Sequence, residues 1–220
     1  MPKHKNIQPK IILVAGASGS GKSTVIEEIK HVLGDLCVVI PLDMFYLDFG
    51  AKTPEEQSQI NFDHPKAIDW RLVFHVLLSL KAGNPTLIPI YDFETHSRKT
   101  TGTLVEAAPI ILLEGLMALF DKEVRSLAHR AIFVDAELDI CLQRRIARDT
   151  KPVNEGGRGR SQDSVLKQWL QVREMYRRFF EPTKQYANIV LPEGGHNKEG
   201  IHILLCWLRY ELGFNGQTEE

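Results

Sequence analysis

Short, wholly apolar runs alternate along this chain with longer segments in which apolar residues return every three or four positions. Ile11 to Ala15, Cys37 to Pro41, Leu87 to Tyr91, Ile110 to Leu113, Ala131 to Val134 and Asn188 to Leu191 are the short runs. Their unbroken apolar character predicts strands buried on both faces. The helical period predicts helices beginning at Thr24 and spanning Ile68 to Lys81, Glu137 to Asp149, Ser161 to Phe180 and Lys198 to Leu212, the second stopped by Gly83-Asn84-Pro85. Asn154 to Arg160, rich in glycine and arginine, predicts an irregular mobile loop. Strands alternating with helices imply an α/β domain whose mostly parallel sheet is covered on both faces, with ligands beyond the carboxyl ends of the strands. The pattern divides the chain into a flexible N-terminus over 1–9, a domain over 10–213 and a tail over 214–220, with Gly216 to Glu220 expected to be disordered.

Composition narrows the partners. The 220 residues are 43% hydrophobic and 25% charged, with a formal net charge of -1, so no electrostatic driving force favours a nucleic-acid polymer. Any positive charge that matters is concentrated locally. Cys37, Cys141 and Cys206 are odd in number and set in apolar runs, which reads as reduced core residues without metal-ligand spacing. Met1 to Lys10 lacks the apolar stretch of a secretion signal, and no apolar run approaches the roughly 20 residues of a membrane span, so no membrane association and a cytoplasmic location are expected.

The most specific chemistry lies directly after the first predicted strand. Gly16-Ala17-Ser18-Gly19-Ser20-Gly21-Lys22-Ser23-Thr24 fits the P-loop pattern G-x-x-x-x-G-K-[ST]. Its glycines let backbone N–H groups converge on an anion at the start of a helix, where the helix dipole adds to the attraction. Lys22 then reaches the β- and γ-phosphates, and the Ser23 hydroxyl is placed to ligate Mg²⁺. An accidental match in a chain of this size is on the order of 1 in 100. Nucleotide binding follows, but not what the triphosphate is for. A guanine-reading N-K-x-D motif is absent.

Five further segments decide between the uses of a P-loop. Asn61-Phe62-Asp63-His64-Pro65 with Asp69, Pro89-Ile90-Tyr91-Asp92-Phe93 running into Thr95-His96-Ser97-Arg98, Glu114-Gly115, Phe133-Val134-Asp135, and Arg144-Arg145-Ile146-Ala147-Arg148-Asp149 with Arg158-Gly159-Arg160 resemble, in this order, the uridine kinases of the phosphoribulokinase/uridine kinase family. The resemblance spans about residues 10 to 205. It implies a P-loop NTPase fold with an arginine-rich lid at about 149–161 and nucleoside-binding insertions at about 43–70 and 89–103. It also implies transfer of a γ-phosphate from ATP or GTP, with Mg²⁺, to the 5′-hydroxyl of uridine or cytidine, a pyrimidine-salvage step carried out by a homo-oligomer, commonly a tetramer.

Taken alone, Asp43 reads as a helix N-cap or loop aspartate rather than a catalytic one; the P-loop context and the resemblance reverse this and make it the base that accepts the proton of the attacking hydroxyl, close to the metal. Asp63 likewise suits a turn before His64-Pro65, and the resemblance gives it the ribose hydroxyls. Tyr46, Phe62, Tyr91, Phe93 and His96 become the nucleoside pocket, with Tyr91 and His96 on the base, while Gln168 is matched to a further nucleoside contact. Glu114, ending an apolar strand, is an acid that orients Mg²⁺ or its water. Arg145, Arg148, Arg158 and Arg160 supply positive charge to the phosphates, Arg148 also facing the acceptor. Arg144 reads as a solvated helix residue and Arg98 as a contact to the protein surface.

Two departures stand out. Lys151 to Gly157 makes the lid about four residues longer than the resemblance implies, which puts in question which arginine reaches which phosphate. Leu42 and Met44 give Asp43 apolar neighbours, an environment that raises a carboxyl pKa. Two other functions share the P-loop: a phosphoribulokinase-like sugar kinase, which needs no aromatic pocket, and a non-catalytic nucleotide-binding regulatory module, which needs neither Asp43 nor the arginine lid.

Overall fold

A computed structural model describes residues 8–214; the expectations for residues 1–7 and 215–220 lie outside the described residues. Five parallel strands, β1 (Lys10–Gly16), β2 (Cys37–Pro41), β5 (Ile110–Glu114), β6 (Arg130–Val134) and β7 (Ile189–Leu191), form one sheet in the order β2-β5-β1-β6-β7. The period-two alternation of side chains splits each apolar run between two cores. Ile11, Leu13, Ile111, Leu113, Ala131 and Phe133 face one side, packed by α3 (Trp70–Lys81), α4 (Lys122–Leu127), α5 (Leu138–Asp149) and α6 (Gln162–Met175). Ile12, Val14, Ile110, Leu112, Ile132 and Val134 face the other, under α1 (Lys22–Leu33) and α7 (Lys198–Glu211). Both faces are therefore sealed, and chemistry is confined to the strand ends.

The expected strand at Leu87 to Tyr91 is real but not part of that sheet. β3 (Thr86–Asp92) pairs antiparallel with β4 (Ser97–Val105) in a separate hairpin, and its register shifts between Pro89 and Tyr91. Pro89 has no N–H to give a central ladder, which suits an edge or a bulge. β4 was not foreseen because Ser-Arg-Lys-Thr-Thr-Gly-Thr lacks an apolar face. The helix expected to run to Phe180 ends its α-helical part at Met175 and continues as a π-helical turn over Tyr176–Phe180. The glycine-arginine loop contains one short 3-10 turn, Val153–Glu155. Two short helices were not read from the sequence. α2 (Pro54–Ser58) is fixed by a Thr53–Glu56 capping box, and α4 is capped by Asp121. No helix of the described residues is long and apolar enough to cross a membrane.

Candidate active site

Strand order brings the site together. β5 lies between β1 and β2, and its last residue, Glu114, is in register with Val14 on one side and Pro41 on the other. The glycine-rich loop leaves β1 and the turn holding Asp43 leaves β2, so Lys22, Asp43 and Glu114 converge at one edge of the sheet. Their electrostatics agree with this. Burial pushes the Asp43 and Glu114 carboxyls up, Lys22 opposes both shifts, and Asp43 further raises Glu114. Asp43 is open to solvent yet ringed by protein, as a group at the floor of a cleft is. Burial lowers Lys22, with Glu114 and Asp43 pulling the other way.

The loop is shaped for an anion. Gly21, the N-cap of α1, has φ 95°, a left-handed conformation natural to glycine, and gives α1 no side-chain cap. α3, α4, α6 and α7 are capped by Asp69, Asp121, Ser161 and Asn197, whereas the first amides of α1 stay available to a ligand. Lys22 Nζ donates to the carbonyls of Gly16 (2.9 Å) and Ala17 (3.0 Å), folding over the loop it serves. Ser23 and Thr24 are exposed beside it, while Ser20 is buried with its Oγ unpartnered. The loop is backed by the turn after β7: a Cβ at Gly194 would drive into the Ser20 carbonyl oxygen, and one at Gly195 would lie 2.6 Å from Thr24 Cβ. Arg144, expected in solvent, instead points Nη1 at the carbonyls of Gly19 and Ser20, 3.4 Å from each.

Asp43 is not a helix cap. It sits inside the 3-10 turn Leu42–Phe45, whose N-cap is Pro41. The turn beyond β2 is fastened from the hairpin by Arg98. Its guanidinium donates to the carbonyls of Tyr46 (2.8 Å) and Phe45 (3.1 Å) and to Asp69 (3.0 Å), the cap of α3. Arg98 thus locks three elements together rather than decorating the surface. Asp63 is likewise spared from turn duty, because Asn61 Oδ1 accepts the Asp63 N–H and His64 Nδ1 accepts the Lys66 N–H. Among the described residues no hydrogen bond claims either carboxylate. Burial raises Asp63, which also feels Arg145, Asp43 and Arg160.

Beside these carboxylates stands a wall of rings. Tyr46 packs on Phe62 and Tyr91, each at 5.4 Å between centroids, Tyr91 packs on Phe93 at 5.2 Å, and Phe62 stacks on His96 at 4.5 Å and 24°. Phe49, not singled out in the sequence, joins through Phe62 at 5.7 Å. Phe93 is half exposed. His96 carries φ 52°, an uncommon conformation for a residue with a Cβ. The Tyr91 hydroxyl is buried and unpartnered, and burial pushes it up to about 12. Burial also raises Tyr46, with Asp43 and Asp63 adding to the shift.

The arginines meet at a residue that sequence reading passed over. Asp149, fully buried, accepts from Arg148 Nε at 2.7 Å and lies 3.5 Å from Arg145 Nε and 3.6 Å from Arg158 Nε. Gln168 Oε1 accepts from Arg145 (2.5 Å) and Arg160 (2.8 Å), so the expected nucleoside contact is held among the arginines, Arg145 and Arg160 being the same two that Asp63 feels. The longer lid does not disturb this register. Arg160 N donates to Asp149 O (2.9 Å) and Gly159 N to Lys151 O (2.8 Å), which pinches the intervening residues into a closed loop. Arg158 and Arg160 return beside α5 and α6 regardless of the extra length.

No described group of three or more His, Cys, Asp or Glu residues suits a metal. A Mg²⁺ held by substrate phosphates needs less: one or two carboxylates and a hydroxyl. Asp43, Glu114 and Ser23 are a donor set of that kind.

Relatives fit this geometry. The family model described as Phosphoribulokinase / Uridine kinase family matches residues 11–199. The chain is 45% identical over 206 residues to a protein named uridine kinase from Cronobacter sakazakii, covering 91% of this chain and 94% of that one. It is 43% identical over 200 residues to one of the same name from Clostridium tetani, covering 90% and 93%. The solved structure of phosphoribulokinase from Rhodobacter spheroides superposes with a TM-score of 0.63 at 17% identity, over 85% of this chain and 71% of that one, a likeness of fold.

Proposed function

We propose, from the premise that this chain belongs to the phosphoribulokinase/uridine kinase family, that it is a nucleoside kinase that transfers the γ-phosphate of ATP or GTP to the 5′-hydroxyl of uridine or cytidine. One observation carries the reading. A glycine-rich anion cradle, two carboxylates free of hydrogen bonds and a ring-walled pocket share one sheet edge, in a chain 43–46% identical to named uridine kinases over about nine-tenths of its length.

Each residue then has a task. The amides of Gly16 to Thr24 and the Lys22 ammonium hold the triphosphate. Asp43 accepts the proton of the 5′-hydroxyl as its oxygen attacks phosphorus and the bond to the leaving diphosphate breaks. Asp63 accepts from the ribose hydroxyls, an acceptor-only group facing two donors. Phe62, Phe93 and Tyr46 wall the pyrimidine, while His96 and Tyr91 meet its polar edge. Arg145, Arg148, Arg158 and Arg160, from α5 and the lid over 149–161, stabilise charge on the transferred group and exclude water. Ser23, Glu114 and Asp43 would hold Mg²⁺, which would supply charge neutralisation to the triphosphate. The segments 43–70 and 89–103 form the acceptor side of a single domain over 10–213. The product serves pyrimidine salvage in the cytoplasm, and the homo-oligomer is part of the same reading.

A coupled assay with ATP, Mg²⁺ and uridine or cytidine tests it. Turnover on either nucleoside is expected. Turnover on ribulose 5-phosphate with none on nucleosides overturns it in favour of a sugar kinase, and nucleotide binding without any turnover favours a regulatory module.

A further inference from the structure

Asp149 closes α5 with a carboxylate that is 0% exposed, surrounded by Arg145 from its own helix one turn earlier, Arg148 next to it, and Arg158 from the lid. A buried cluster built for stability satisfies its polar atoms. This one does so incompletely: among the described residues Asp149 Oδ2 and Arg145 Nε face each other at 3.5 Å as an ion pair without a hydrogen bond, and one terminal nitrogen of Arg148 is buried without a hydrogen-bond partner. Three guanidiniums around one carboxylate leave an excess of positive charge: burial lowers Arg145 and Arg158, and the neighbouring Arg148 lowers both further. Burial would raise the Asp149 carboxyl, yet the Arg148 hydrogen bond and the three positive charges outweigh it and hold the group below its ordinary value. Asp149 is therefore ionised and is the anion around which mutually repelling arginines gather.

Other anions compete for the same arginines. Arg158 also lies within electrostatic reach of Asp43, and Arg145 and Arg160 within reach of Asp63. The backbone adds a second hold, since Asp149 O receives the Arg160 N–H that closes the lid stem. One residue thus fixes the lid through its carbonyl and the arginines through its side chain.

We infer that Asp149 is a positioning residue for phosphoryl transfer: it gathers Arg145, Arg148 and Arg158 at the phosphate side of the cleft and keeps Arg158 from collapsing onto Asp43, an inference that rests on the kinase reading above. It touches neither substrate, and it acts through the arginines. The incoming phosphate supplies the acceptor that the terminal nitrogen of Arg148 lacks.

The test is a double-mutant cycle on the full chain. Asp149→Asn keeps the shape and removes the charge. It is expected to lower kcat about 30-fold or more while leaving the nucleoside KM within about threefold, because misplaced arginines cost the transfer step and not acceptor binding. In an Arg158→Gln background the same change is expected to cost less than about fivefold, since part of its effect passes through Arg158. Asp149→Glu keeps the charge one methylene further out and is expected to recover at least half of the logarithmic loss. Should Asp149→Asn not fold, Asp149→Glu and Asp149→Ser at matched thermal midpoints replace it, with the charged variant expected to be the faster by tenfold or more. A kcat within threefold of the parent protein in Asp149→Asn, or full additivity with Arg158→Gln, overturns the inference. A parent protein that turns over neither uridine nor cytidine sinks the kinase reading instead, so the two failures are distinct.

Discussion

Gly194 offers a test of how the phosphate cradle is held, because the residue touches no substrate. It sits in the turn after β7 with φ 60°, and a methyl group there would drive into the backbone carbonyl of Ser20, whose carbonyl carbon would lie only 2.9 Å away. Both obstacles are backbone and cannot swing aside. The conformational cost of alanine at positive φ is about 1–2 kcal/mol, and forcing an extra methyl into packed backbone adds about 1–3 kcal/mol. The reduced freedom of the unfolded chain returns about 0.4–1 kcal/mol. Gly194→Ala should therefore destabilise by about 1–4.5 kcal/mol, a drop in Tm of roughly 2–18 °C for a chain of this length. Relief requires the Ser20 carbonyl to retreat by about an ångström, which displaces the loop amides from the anion and weakens nucleotide binding, and displacements of that size cost on the order of 100-fold in rate at a preorganised site. Gly83→Ala is the control: φ is 83°, but a Cβ there meets nothing within 4 Å. It should lose about 1 kcal/mol and bind nucleotide normally. Thermal melts and titration calorimetry with Mg²⁺-ATP measure both effects. If Gly194→Ala binds the nucleotide like Gly83→Ala, the turn after β7 does not set the cradle and the reasoning fails.

The other predictions concern the acceptor side. Asp43→Asn should lower kcat by about 100-fold or more at a Tm that is equal to or above the parent's, and a near-parental kcat would remove its role as base. Burial raises the Asp43 and Glu114 carboxyls, and the proposed role of Asp43 as base requires it ionised. The fall of kcat/KM on acidification should therefore begin above pH 4, the ordinary carboxylate range, and a profile flat down to pH 4 would contradict the buried site. The same sign means that holding these two groups charged among the surrounding protein costs stability at neutral pH, a cost that lessens on acidification through their raised values. His96→Ala should raise the nucleoside KM at least tenfold with the ATP KM within about twofold; equal effects on both would refute a base-reading role.

Much of the fold was legible because the sheet is buried twice. Runs such as Ile11 to Ala15 and Ile110 to Leu113 have no polar position to blur the signal, and the glycine-rich loop follows at fixed spacing. β4 was not legible, since a two-stranded ribbon with Thr and Lys on its surface has no covered face to write into the sequence. The candidate site was legible where chemistry is local, as in Gly16 to Thr24, and illegible where it depends on return of the chain. Arg144 looks like any basic residue on a polar helix face until the loop carbonyls of Gly19 and Ser20 are placed opposite it. Asp149 reads as the end of a helix, and Gly194 as an ordinary turn glycine. Arg98 misled for the same reason: its three partners come from residues 29 to 53 positions away.

The pinched stem of the lid separates length from function. With Asp149 joined to Arg160 and Lys151 to Gly159, the segment from Pro152 to Gly157 is a side branch off a hydrogen-bonded stem. Residues there can be added, removed or labelled while the working groups keep their places. Asn154, exposed at the tip of that branch, is accordingly the natural point to attach a reporter that tests whether this segment closes over bound nucleotide.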